Sequence, residues 1–182
     1  MKSPVLKLLG LLAVLIALAL PRLHGAVFDA FLEIDGIAGE TEDREFKGTI
    51  HLESFSWGCS NPPARSGGTG KVSFSDIRFS TRSSKSSPKL MEFCATGKPF
   101  KVGILHLRIR RDESTPPTYH RYELQNVLIS SYSVGGGSSA ENAIPTDSFS
   151  LNFTKITFSH RAPDGTVTTG TAELPLTVTT SR

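Results

Sequence analysis

The side chains best suited to bind a metal or move a proton are His51, His106, His120 and His160. They fall mostly in strand-like runs, with neither an H-E-x-x-H pattern nor a closely spaced pair, and so read as ordinary strand histidines. Ser54, Ser56 and Ser130 would need a G-x-S-x-G elbow to act as nucleophiles, and that pattern does not occur. Gly67-Gly68-Thr69-Gly70-Lys71 echoes a phosphate-binding loop, but Arg65 stands where its first glycine belongs and Val72 where a Ser or Thr would meet magnesium. The acidic pairs Glu40/Glu42 and Asp43/Glu45 read as a solvated, turn-rich loop. Arg108, Arg110 and Arg111 form a basic cluster, and strand alternation puts Arg108 and Arg110 on one face. That face reads as solvated or as a subunit contact rather than as a phosphate site. Cys59 and Cys94 are too few for a disulfide framework or a structural zinc site, and are expected to be unpaired and largely buried, with one bridge between them in an oxidising compartment as the alternative. Asn152-Phe153-Thr154 is a glycosylation sequon inside a strand pattern that disfavours modification. No catalytic residue, cofactor or metal is expected.

The 182 residues suit one domain behind a leader. Lys2 and Lys7 precede an apolar run from Leu8 to Leu20 that Pro21 ends, shorter than the roughly 20 residues of a spanning helix. Residues 1–26 therefore read as a secretion signal, with a retained anchor as the alternative and cleavage near Gly25 or Ala26. Residues 27–182 are left as a single domain acting outside the cytoplasm, in the periplasm or beyond the cell. The formal charge of +3 disappears with Lys2, Lys7 and Arg22, leaving 17 basic residues against 17 acidic ones. A nucleic-acid partner is not expected, and membrane contact is expected only through an uncleaved leader.

From Val27 onward the chain alternates like a set of strands. Val27 to Ile34 is followed by the turn formers Asp35-Gly36, and Thr49 to Trp57 changes face near Glu53-Ser54 in a way that predicts a β-bulge. Cys59 to Gly70, rich in Pro, Gly and Ser, predicts a long exposed loop without regular structure. Val72 to Phe79 is a strand with a face change at Ser75-Asp76. Ser87-Pro88 through Gly97 predicts a short helix with Ser87 as N-cap, Gly97 as left-handed C-cap and an apolar stripe of Leu90, Phe93 and Cys94. Lys101 to Arg110, Tyr119 to Tyr132, Phe149 to Phe153, Ile156 to Phe158 and Thr166 to Thr179 add further strands. Asp164-Gly165 is a hairpin turn, and Pro175 argues for an edge position. Short strands with one helix and no βαβ alternation indicate an all-β fold, a β-barrel or two-sheet antiparallel sandwich with one short lateral α-helix.

Several motifs in order resemble the haemolysin-coregulated protein (Hcp) family, the tube component of the type VI secretion system. They are Phe31-Leu32-Glu33-Ile34-Asp35-Gly36-Ile37-Ala38-Gly39-Glu40, Ser54-Phe55-Ser56-Trp57-Gly58, Gly70-Lys71-Val72-Ser73-Phe74-Ser75-Asp76, and Ser87-Pro88-Lys89-Leu90-Met91 through Cys94-Ala95-Thr96-Gly97-Lys98. Leu124-Gln125-Asn126-Val127-Leu128-Ile129-Ser130-Ser131 and Phe149-Ser150-Leu151-Asn152-Phe153-Thr154-Lys155-Ile156 complete the set. Family members commonly end in a Gly-Trp-type strand motif, and here Thr169-Gly170-Thr171-Ala172 takes its place.

The resemblance implies a non-enzymatic homo-oligomer: a hexameric ring that stacks into a tube, works with sheath and spike components, and holds effector cargo in its lumen. It implies that the loop bearing Asn61, Pro62, Arg65 and Gly68 reaches the neighbouring ring. The turn with Gly136, Gly137 and Ser138 would face the lumen or a ring contact. The leader motivates the alternative of an exported binding or adhesion module that keeps this fold without building tubes.

Overall fold

The structure is a computed structural model that describes residues 27–62, 72–110, 114–137 and 144–174. The leader, the segment with Pro63, Arg65 and Gly68, Ser138 and Pro175 lie outside the described residues. Among the described residues eleven strands run in the order β1 (Val27–Ile34), β2 (Ile50–Leu52), β3 (Ser54–Ser56), β4 (Cys59–Ser60), β5 (Ser73–Phe74), β6 (Ile77–Arg82), β7 (Phe100–Arg110), β8 (Thr118–Gly135), β9 (Thr146–Asn152), β10 (Lys155–Arg161) and β11 (Val167–Glu173). The helix α1 (Ser87–Thr96) lies between β6 and β7. The main path is β2-β1-β7-β8-β9-β6-β3, with β10 also pairing β8 and β11 pairing β10, all antiparallel.

Two corners fold this path into facing layers. The first is in β8, whose residues up to Val127 pair with β7 and whose residues from Leu128 pair with β9. Asn126 sits between them with φ 52°, a left-handed conformation that Asn tolerates better than most residues. Its side-chain amide donates to Thr154 Oγ1 at 2.9 Å. The second corner is Glu53. β2 pairs with β1 and β3 pairs with β6, so the face change predicted as a bulge is the strand passing from one layer to the other. Glu53 N–H donates to Ser80 O at 2.9 Å across that corner. A genuine register shift occurs elsewhere, between Ile129 and Ser131 of β8.

Alternate residues of these strands fill the space between the layers: Leu32, Ile50, Ile77, Leu105, Leu124 and Leu151 are all essentially inaccessible to water. Each such side chain contributes roughly 1.5–3 kcal/mol through burial. Helix α1 seals one side with Leu90 and Phe93. Its N-cap is Ser86 rather than Ser87, and Pro88 falls in the first turn, where its missing N–H costs nothing. Gly97 closes the helix at φ 62° as expected. The Cys59 region departs from the expected irregular loop, because Cys59–Ser60 pairs with Ser73–Phe74 and holds the base of the loop as a two-stranded ladder. The last strand forms despite its atypical sequence, with Gly170 opposite Phe158.

Candidate functional site

The densest polar construction is on the outer face of β1 and β7. Odd-numbered Asp29, Phe31 and Glu33 of β1 point away from the core side that holds Ala30, Leu32 and Ile34, yet Phe31 is only 3% exposed. The connection between β1 and β2, residues 35–49, folds back and covers it. Phe46 from that connection stacks between Phe31, at 4.6 Å, and His106, at 4.9 Å. Gly39 permits the fold-back: its N–H donates to Gly48 O, and a Cβ there would lie 2.0 Å from Thr49 O.

Arg108 locks this cover in place. It is 7% exposed and forms ion pairs with Asp29, Asp43 and Glu45, at 2.8, 2.7 and 3.1 Å. The Arg108 guanidinium holds the Asp43 carboxyl down at about 2, against 3.8 for an ordinary aspartate. The same hydrogen bonds, led by that to Asp43, raise the Arg108 pKa. Tyr119 donates its hydroxyl to Glu45 at 2.8 Å, and burial with that bond pushes the phenol's pKa up. One expectation is corrected: Arg108 does not stand on a solvated face. Asp43 is partly buried against it, whereas Glu40, Glu42 and Glu45 are exposed, as a solvated loop requires. Arg110 is exposed. Burial lowers the His106 pKa although Glu33 lies 3.5 Å away.

A second construction ties the helix to the sheet. Asp147 of β9 is fully buried and accepts hydrogen bonds from Ser83, at 2.5 Å, and from Ser87. Ser87, expected to cap the helix, serves instead as this tether.

A broad polar surface among the described residues is the outer face of β3, β6, β9 and β8. Its cross-strand register sets Ser54 opposite Ser80, Ser80 opposite Ser148, and Ser148 opposite Ser133. The neighbouring rung reads Ser56, Arg78, Ser150 and Ser131 across the same strands. Ser54 and Ser80 share a hydrogen bond of 2.7 Å, as Ser131 and Ser150 do at 2.6 Å. The face is thus a polar layer of short hydroxyls with the exposed Arg78 among them and no bulky apolar group in these two rungs. Ser130 Oγ donates to Asp76 Oδ2 at 2.6 Å, and Asn152 donates to Asp76 Oδ1 at 2.8 Å. These bonds hold the side chains to each other rather than aiming a hydroxyl at an imidazole base.

The two candidate loops lie at opposite ends of this face. Asn61 and Pro62 are exposed and follow β4, whose partner β5 leads into Ile77 of β6. Gly136 and Gly137 are exposed beyond Gly135, which pairs with Thr146. Along β6, Ile77 faces Leu151 and Arg82 faces Thr146, so the loops are separated by the length of that strand. At Gly136 a Cβ would approach the Pro145 backbone to 3.3 Å, a fit that favours glycine. Cys59 is exposed and Cys94 partly buried, both as free thiols, which corrects the expectation of buried cysteines.

Comparison with known proteins agrees with this architecture. The family model described as type VI secretion system effector, Hcp, matches residues 31–160. Protein hcp1 of Pseudomonas aeruginosa is 32% identical over 132 residues, 70% of this chain and 80% of that protein. Among solved structures, Hcp1 from Salmonella typhimurium is similar with a TM-score of 0.67 at 26% identity, covering 81% of this chain and 95% of that one. A type VI secretion system effector from Yersinia pestis gives a TM-score of 0.65 at 25% identity, covering 80% and 100%.

Proposed function

The chain belongs to the Hcp family of type VI secretion tube proteins, and from that premise we propose that it closes into hexameric rings whose channel is lined by the serine face. The observation that carries the tube assignment is the family match over residues 31–160, which spans every strand from β2 to β9. Oligomerisation into rings follows from the family; the hexamer, the orientation of the serine face and the contacts below are this reading. A heterologous head-to-tail contact repeated by rotation closes a ring without leaving an unpaired surface.

If the serine face lines the channel, the loops at its two ends meet opposite neighbours in a stack. Asn61 and Pro62 then sit at one ring-to-ring contact, and Gly136 and Gly137 at the other end or at the channel mouth. Hydroxyl groups in two adjacent rungs suit a conduit for folded effector cargo, because they keep water bound and present no apolar patch. The protein acts as scaffold and carrier without catalysis, alongside sheath and spike components, and outside the cytoplasm once expelled. The reading of residues 1–26 as a signal places general export beside expulsion by the contractile machine. The alternative of an exported binding module that builds no tubes is not favoured, since the match covers the domain rather than one motif.

Native mass spectrometry with negative-stain imaging tests the assembly. Closed rings of six copies are expected, and a monomer at high concentration would overturn it. The mass of the mature N-terminus, taken with cell fractionation, tests the leader.

A further inference from the structure

His120 and His160 are far apart in sequence, and the sequence offers no sign that they meet. The β8–β10 ladder places them directly opposite one another, with ring centroids 5.0 Å apart and planes inclined by 56°. They form the outermost of three rungs on one face. Leu124 and Ile156 form the buried rung, Tyr122 and Phe158 stack at 4.5 Å in the next, and the histidines stand at the lip. Phe158 packs edge-on against His120 at 5.2 Å, and the buried Leu107 is its neighbour on β7. Both imidazoles are thus half-buried and held by packing.

Such a setting disfavours two imidazolium ions. Burial lowers the His120 pKa, and the charge of His160 lowers it further. Two imidazoles held side by side across a strand pair offer two nitrogen donors to a borderline metal ion. With metal–nitrogen bonds of about 2.0–2.1 Å, tetrahedral coordination sets the two ring centroids about 5.2 Å apart. The observed centroid separation of 5.0 Å is close to that value.

We propose that His120 and His160 form a two-imidazole chelate for a divalent transition-metal ion of the zinc, nickel or copper(II) class, with water completing the coordination. Among the described residues no group of three His, Cys, Asp or Glu side chains converges on a metal position, so the site is bidentate and its affinity micromolar rather than structural. The ion bridges β8 to β10. Among the described residues β10 joins the main sheet through β8 alone, so a bound metal staples the β10–β11 hairpin to the rest of the molecule.

The test uses the protein without a polyhistidine tag. Calorimetric titration with Zn²⁺ or Ni²⁺ at pH 7.5 is expected to show one ion per chain. His120→Gln and His160→Gln should each weaken binding at least tenfold, whereas His51→Gln, at the exposed position of β2, should leave it unchanged. Should a variant fail to fold, the wild-type protein decides. Ni²⁺ or Cu²⁺ should broaden the imidazole resonances of His120 and His160 before those of His51 and His106, and the effect should weaken as pH is lowered, because protons compete with the metal for the imidazole nitrogens. Absence of binding at millimolar ion, undiminished binding in both folded variants, or broadening centred on other histidines would overturn the proposal.

Discussion

Arg108 grips Asp43 through two parallel bonds, Nη2 to Oδ2 at 2.7 Å and Nη1 to Oδ1 at 3.0 Å. This fork joins a central strand to a connection that has no strand partner of its own at that point. Asp29 on the neighbouring strand accepts from Nε and Nη2 of the same guanidinium, at 3.1 and 2.8 Å. The Phe31 and Phe46 rings have their centroids 5.4 and 5.7 Å from it and shield the guanidinium from water. The arginine thus converts three like charges, which would repel one another, into a clamp on the 35–49 connection.

Removing the cation should therefore cost more than losing one surface ion pair. Arg108→Met leaves Asp29, Asp43 and Glu45 facing each other beside apolar rings, a loss of about 3 kcal/mol. Arg108→Lys keeps the charge but not the fork and should recover only part of it. Chemical denaturation of the three proteins measures the order: wild type, then lysine, then methionine.

The same clamp gives stability a defined acid dependence. Asp43 titrates at about 2 in the fold, against 3.8 for the ordinary side chain, chiefly because Arg108 donates to it. A lowered folded pKa means that the contribution is fully present above about pH 4 and is lost as pH falls towards 2. Thermal melts of the wild type should fall more steeply across that window than those of Asp43→Asn. Equal slopes would show that the bond does not carry the acid dependence.

Gly39 should be intolerant of a single methyl group. A Cβ placed 2.0 Å from Thr49 O cannot be relieved by side-chain rotation, because the obstacle is backbone. Gly39→Ala should cost about 3 kcal/mol or more. It should also be less than additive with Arg108→Met, since either change frees the same connection. A double-mutant cycle in denaturant measures the coupling.

Much of this architecture is legible in the sequence because it is written locally. The alternation of β1, β7 and β9 and the proline and glycine at the ends of α1 each depend on near neighbours. The Arg108 clamp is not local: its partners come from β1 and the connection beyond it, and charge counting alone makes Asp43 look solvated. A strand that changes layers at Glu53 and one that bulges produce the same switch of face, so sequence cannot separate them. Ser86 and Ser87 are chemically identical, and only the position of Asp147 reveals which caps and which tethers. The serine rungs are visible as polar alternation within each strand, but their alignment exists only in the register among four strands. Asn61, Pro62, Gly136 and Gly137 could be found from composition, whereas their placement at opposite ends of one sheet follows from pairing.

The left-handed residue in β8 offers a test of the first corner. Asn126→Gly keeps φ 52° accessible and should be nearly neutral, losing only the amide bond to Thr154. Asn126→Val places a β-branched side chain in that conformation and should cost about 2 kcal/mol. The denaturation midpoint of Asn126→Gly should lie close to that of the wild type, and that of Asn126→Val well below it. Similar midpoints would mean that the corner relaxes to another geometry.

The channel assignment can be tested by chemistry at one serine. Ser148 is exposed in the middle of the first hydroxyl rung, so Ser148→Cys, made with Cys59→Ser and Cys94→Ser, places one thiol on that face. In stacked rings a channel thiol should still react with a small maleimide, while a polymer-bearing maleimide should react at least tenfold more slowly than with dissociated subunits. Met91→Cys, exposed on the lateral helix, serves as the outer reference and should react equally with both reagents. A rate at position 148 indifferent to assembly would place the serine face outside the tube, and the channel wall would then have to be sought on the surface covered by the 35–49 connection.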